Sequence, residues 1–153
     1  MIGRFSHVAI GVRDIDRSIA FYEKLGFKAF FDFTQKDPIG GEVVGVDARE
    51  VRMVFMRIGD DPHAPFIDIV QFVDPPAEGS AYSALNNVGI GRIAFAVDDM
   101  DATYAHLQAM DVDFVTPLKR FRSPEGDDMA MVCFRDPDGI FLEVISGLNV
   151  RKD

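Results

Sequence analysis

An α+β fold is what this sequence predicts, built from two tandem βαβββ modules whose sheets curve into an open barrel around a cleft, with the helices outside. Three observations carry that expectation. Phe5-Ser6-His7-Val8-Ala9-Ile10-Gly11-Val12 alternates as a strand does, and the chain then changes to helical spacing at Ile15, Ile19, Tyr22 and Leu25. The same pattern returns without a gap at Gly91-Arg92-Ile93-Ala94-Phe95-Ala96-Val97, at an offset of 85 residues that carries His7 onto Arg92. The helical faces coincide as well, since Met100, Tyr104, Leu107 and Met110 stand at the offset equivalents of Ile15, Ile19, Tyr22 and Leu25.

The first module, residues 1–73, opens on the strand around His7. Asp14 is placed to cap the helix that follows, and Gly26 to close it after Leu25. Lys28-Ala29-Phe30-Phe31-Asp32-Phe33 reads as the second strand, and Pro38-Ile39-Gly40-Gly41 as a turn. Two further strands centre on Val51–Met56 and Phe66–Phe72, joined by the proline-bounded loop Asp60–Pro65. Residues 74–88 have a linker's composition, beginning Asp74-Pro75-Pro76, with a short helical turn expected over Ala81 to Asn87.

The second module, 89–148, repeats the strand and helix. It continues to Met131-Val132-Cys133-Phe134-Arg135, an echo of Met53-Val54-Phe55-Met56-Arg57. Asp136-Pro137-Asp138-Gly139 then turns the chain into the last strand, Ile140–Ile145, and 149–153 reads as a frayed polar tail.

Composition narrows the function. A net charge of −9 and an overall 48% of hydrophobic residues fit a soluble globular domain and argue against a nucleic-acid partner, whose phosphates require a basic face. No apolar run approaches the roughly 20 residues a membrane helix needs, and Met1-Ile2-Gly3-Arg4 does not open a signal peptide. A lone Cys133 forms no intrachain disulfide, which suits a reducing cytoplasm. No glycine loop that could cradle phosphates stands out, so no nucleotide cofactor is expected.

Each module has a sheet with one helix on one face, so the other face is left for a ligand. Strand alternation turns Val8, Ile10 and Val12 to the helix and His7, Ala9 and Gly11 away from it. In the second module it turns Arg92, Ala94 and Ala96 away. Asp68 and Glu143 occupy corresponding points of the closing strands, each flanked by apolar residues, where a carboxylate is costly to bury unless paired or bound to a cation. His7, Asp68, Arg92 and Glu143 therefore form the candidate constellation.

These residues also carry a resemblance. His7-Val8-Ala9-Ile10-Gly11-Val12, Asp14-Ile15-Asp16 and Phe21-Tyr22-Glu23-Lys24-Leu25-Gly26-Phe27 resemble the opening of the vicinal oxygen chelate superfamily. That group includes glyoxalase I, methylmalonyl-CoA epimerase, extradiol dioxygenases, fosfomycin resistance enzymes and bleomycin-resistance proteins. Phe134-Arg135-Asp136-Pro137-Asp138-Gly139-Ile140-Phe141-Leu142-Glu143 resembles its closing motif. The resemblance spans nearly the whole chain and implies a soluble protein that binds a small molecule, commonly as a homodimer.

In its metal-dependent members a divalent ion (zinc, nickel, iron, cobalt or manganese) is held by the first and last strands of both modules. Carried over, His7, Asp68 and Glu143 fall on ligand positions with suitable chemistry. Arg92 falls where a His, Gln or Glu is expected. An arginine stays protonated and has no lone pair to give, so it cannot be a ligand.

Two functions follow. In the first, three ligands hold a metal that stabilises an enediolate of a small carbonyl substrate; Arg92 clamps the substrate's carboxylate or phosphate, and Glu143 or a water moves the proton. Such a lyase or isomerase of glyoxalase or epimerase type is the direction in which three surviving ligand positions tip the sequence. In the second, Arg92 pairs with Glu143 or Asp68, and the protein sequesters a ligand without metal, as bleomycin-resistance proteins do. Extradiol dioxygenase chemistry ranks third, because Arg92 stands where its second His would be.

Alternation sets Phe66 and Phe141 beside Asp68 and Glu143 as ligand-lining positions, and most of the other phenylalanines are expected in the core. Lys119-Arg120-Phe121-Arg122 reads as a surface loop in which Phe121 caps the ligand and Arg120 and Arg122 form a cationic rim. His63 and His106 read as solvated residues, Cys133 as a buried inert thiol, and Gln71 as facing away from Asp68.

Overall fold

In the computed structural model residues 1–148 are described; the tail at 149–153 lies outside the described residues. The chain divides into two compact units, Met1–Gly79 and Ser80–Asp153. The break falls inside the 74–88 stretch of linker composition.

The first unit runs β1 (His7–Gly11), α1 (Ile15–Lys24), β2 (Lys28–Gln35), α2 (Ile39–Glu42), β3 (Glu50–Arg57) and β4 (Phe66–Asp74). Its sheet has the order β1-β4-β3-β2, so the first strand returns beside the last, parallel to it, while the other pairs are antiparallel. The second unit runs β5 (Ile93–Ala96), α3 (Met100–Ala109), β6 (Asp113–Phe114), β7 (Lys119–Arg122), β8 (Asp128–Arg135) and β9 (Phe141–Ser146). It repeats the order as β5-β9-β8-β6, with β5 and β9 parallel and β7 also paired to β8. The α+β fold of two mixed sheets expected from the repeat is present.

The repeat extends to the helix caps. Asp14 accepts from the Arg17 amide at 3.0 Å and Asp99 from the Ala102 amide at 2.9 Å, satisfying a helix-end N–H that would otherwise lack a partner. Gly26, at φ 93°, supplies the left-handed turn that ends α1; at the offset position Asp111 takes φ 54° to end α3.

The cores lie on the helix sides of the sheets. In the first unit Ile10, Val12, Val54, Met56, Ile67 and Ile69 are buried, and α1 adds Ile15, Ser18 and Tyr22. In the second, Val132, Phe134, Leu142 and Val144 are buried with Met100 and Leu107 of α3. A fully buried side chain of this size contributes roughly 1.5–3 kcal/mol, so these layers hold each module together; on the opposite face of the second sheet Cys133, Phe141 and Glu143 are buried as well. Gln71 belongs to the helix side as expected: its Oε1 accepts from the Ile15 amide at 2.9 Å, giving α1 a second cap.

Three local expectations are corrected. Pro38–Gly41 enters the short helix α2 rather than a plain turn, its first amide, Ile39, held by Asp37 Oδ1 at 3.0 Å. Within Ala81–Asn87 only residues 83–87 bend and turn, and none is helical. Lys119–Arg122 is a strand with an antiparallel partner in Asp128–Met131, not a loop, because β8 is long enough to offer it a free edge beyond β6.

Candidate functional site

Strand register assembles the open face of the first sheet. Ala9 pairs with Asp68 on one side, and Phe55 pairs with Asp68 on the other; His7 pairs with Phe66. Cross-strand partners have their Cβ atoms about 5 Å apart, so these side chains form one surface.

His7 is exposed and its ring stacks on Phe66, with centroids 4.9 Å apart and planes 22° apart. Its Nδ1 lies 3.2 Å from Ser6 Oγ. Asp68 is only 9% exposed, and its Oδ1 has no hydrogen-bond partner among the described residues. Burial pushes its carboxyl above the ordinary value, and His7 partly offsets that by favouring the charged form.

An aromatic surface surrounds this pair. Phe55 touches Phe30, Phe31, Phe33 and Phe66 at centroid distances of 6.0, 5.4, 6.0 and 4.9 Å. Phe30 is 42% and Phe31 51% exposed, so the expectation that most phenylalanines would be core fails here. The cause is a register shift between Ala29 and Phe31, which lets the consecutive Phe30 and Phe31 both reach Phe55. Strict alternation would have put them on opposite faces. The Arg57 guanidinium lies 4.4 Å from the Phe30 ring centre and extends the surface with a cation.

In the second sheet, Ala94 and Cys133 both pair with Glu143. Arg92 Nε donates to Glu143 Oε2 at 2.5 Å, and the Cys133 thiol lies 3.5 Å from the same oxygen. Glu143 is 3% exposed, whereas the Arg92 side chain is 42% exposed. Burial pushes the Cys133 thiol up, and Glu143 adds to the shift. The buried inert thiol expected at this position is what the surroundings favour.

Phe141 is 3% exposed, and the Arg135 guanidinium lies 4.8 Å from its ring centre. It offers little ring surface, unlike its counterpart Phe66. Arg120, Phe121 and Arg122 are brought together in a shallow depression of about 490 Å³ that Asp128, Ala130 and Ser146 also line. Both arginines have carboxylate partners, Arg120 on Asp101 at 2.6 Å and Arg122 on Asp128 at 3.0 Å. His63 and His106 are exposed, as read from the sequence.

A divalent ion tests these donors. The first sheet presents one histidine and one carboxylate. In the second, Glu143 Oε2 is engaged by a guanidinium. No group of three or more His, Cys, Asp or Glu side chains able to hold a metal occurs among the described residues. A catalytic zinc-type site keeps three protein ligands, and neither module by itself offers that number at these positions. What the two faces offer instead is an aromatic surface with a buried acceptor, and a closed ion pair.

A family model described as the Glyoxalase/Bleomycin resistance protein/Dioxygenase superfamily matches residues 4–144. The uncharacterized protein YaeR of Escherichia coli (strain K12) is 35% identical over 78 residues, 51% of this chain and 55% of that protein, so the match spans about half of each. The uncharacterized protein YwbC of Bacillus subtilis (strain 168) is 29% identical over 118 residues, 75% of this chain and 77% of that protein. A crystal structure of a glyoxalase family protein from Bacillus cereus aligns with a TM-score of 0.84 at 22% identity, covering 97% of both chains. At that identity the structural likeness speaks to the fold alone.

Proposed function

Because the chain belongs to the Glyoxalase/Bleomycin resistance protein/Dioxygenase superfamily, we propose that it is a small-molecule-binding member in which an ion pair replaces the metal centre. The observation that carries this reading is the Arg92–Glu143 pair, with Nε 2.5 Å from Oε2. A buried carboxylate needs a cation, and here a guanidinium of the same module supplies it. Arg92 is therefore a structural counter-ion, and ligand recognition falls to the open face of the first module, with His7, Phe66 and Asp68.

A second reading is favoured by one observation, the partnerless Oδ1 of Asp68 next to His7. It keeps the glyoxalase- or epimerase-type enzyme: His7, Asp68 and Glu143 hold a divalent ion, Arg92 releases Glu143 to clamp an anionic carbonyl substrate, and Glu143 handles the proton. Arg120, Phe121, Arg122 and Phe141 serve substrate binding in that version.

Titrating the chelator-treated protein with zinc, nickel, cobalt, manganese or ferrous ion separates the two, with thermal unfolding as the readout. The binding-protein reading predicts no saturable rise in Tm at one equivalent. A rise that disappears in His7→Ala and in Glu143→Gln supports the enzyme. Both readings expect a soluble cytoplasmic protein, and among the described residues no helix is long and apolar enough to cross a membrane. A homodimer is proposed by likeness to the superfamily, and its test is sedimentation equilibrium.

A further inference from the structure

We propose that the open face of the first module binds a planar aromatic molecule bearing a hydrogen-bond donor, a phenol or an aryl N–H. Its donor meets Asp68 Oδ1 and its ring lies against Phe55 and Phe66. This names the ligand class for the binding-protein reading and rests on it.

Two independent features point to such a ligand. The first is the surface itself. Phe30, Phe31, Phe33, Phe55 and Phe66 form one contiguous aromatic patch, with Phe30 and Phe31 about half exposed. Exposed rings in contact are a surface for another ring, which gains by offset or edge-on stacking as well as by burial.

The second is Asp68. An ionised carboxylate only accepts hydrogen bonds, and leaving one oxygen buried without a donor is costly. Phe55 pairs directly with Asp68 across the sheet, and Phe66 precedes it by two residues on the same face. Beside it stand the smallest residues of β1: Ala9 pairs with Asp68, and a Cβ added at Gly11 would meet nothing within 4 Å. Oδ1 has no exposed surface of its own, so a ring seated on the phenylalanines meets it with one donor as the Asp68 side chain turns toward the space beside Ala9 and Gly11. A purely apolar ligand would leave that oxygen as it is, and an anionic group placed there would be repelled.

The test uses the whole chain in EDTA, so that no metal bridges probe and protein, with 2-naphthol, 2-methoxynaphthalene and naphthalene as probes in ligand-observed NMR titrations. The expected result is that 2-naphthol binds at least tenfold more tightly than its methyl ether. Asp68→Ala should abolish that preference while naphthalene still binds. Phe31→Ala, at an exposed position that folding tolerates, should weaken all three probes about threefold or more.

Equal affinity for the three probes overturns the donor contact and leaves the binding-protein reading standing. Protection of the phenylalanine face by a second copy of the chain, seen as probe binding that vanishes as a dimer forms, overturns the ligand assignment. No arene binding, together with one tightly held zinc per chain when EDTA is omitted, overturns both.

Discussion

Arg92, one residue before β5, and Glu143, within β9, meet at 2.5 Å, with the carboxylate 3% exposed. Removing one partner of such a pair strands the other. Because the guanidinium side is 42% exposed, water can partly replace it. Arg92→Ala is expected to cost roughly 2 kcal/mol in urea unfolding. Arg92→Ala combined with Glu143→Gln should recover much of that loss, since the stranded charge is gone; a double variant as unstable as the single one would contradict the pairing.

Asp68 works in the opposite sense. Its carboxyl is raised by burial, so the folded protein binds a proton more tightly than the unfolded chain does. Its penalty on stability is present above the folded value and is relieved as the pH falls through it. Asp68→Asn is therefore expected to raise the Tm at pH 7 by a few degrees and to lose that advantage towards pH 4, measured by thermal scans across pH. An unchanged or lowered Tm at pH 7 would show that the carboxylate has a stabilising partner.

Cys133 is 7% exposed, and its thiol is pushed up by burial and by Glu143. The thiolate is the reactive form, so iodoacetamide at pH 8 should leave the native protein unmodified and alkylate it fully after denaturation. Mass spectrometry of the intact chain reads the difference directly.

Arg52 ties α1 to β2 by donating to Asp16 at 2.8 Å and to Asp32 at 2.8 and 3.1 Å. The bond to Arg52 holds the Asp32 carboxyl below its usual range, so this contribution is present above the unfolded carboxylate value and fades as pH falls through the lower folded one. Half-exposed pairs are weak singly, and the network is expected to be worth about 1 kcal/mol, lost in Arg52→Ala at pH 7. The loss should shrink near pH 3, which chemical denaturation at the two pH values would show.

Much of this architecture was legible because it repeats. His7 and Arg92, Asp14 and Asp99, Ile15 and Met100 share one offset; Asp14 and Asp99 both cap a helix and Ile15 and Met100 both begin one, while His7 opens β1 and Arg92 falls one residue before β5. Alternation placed Gln71 opposite to Asp68, and a protonated arginine among two carboxylates anticipated that Arg92 could close on Glu143 or Asp68. What escaped reading lies where periodicity breaks. The register shift in β2 puts Phe30 and Phe31 on one face, and no pattern of apolar residues marks a bulge in advance. Strand β7 escaped because Lys119-Arg120-Phe121-Arg122 is polar on every side but one and is held by an edge of β8, a partner that sequence alone does not reveal.

Glu143 belongs either to Arg92 or to a metal, and the metal content of protein purified without chelator decides which. Plasma mass spectrometry is predicted to find far less than one equivalent of zinc, nickel, iron, cobalt or manganese per chain in the native protein, and more in Arg92→His, which frees Glu143 and adds a donor. A full equivalent in the native protein, lost in His7→Ala and in Glu143→Gln, would contradict it.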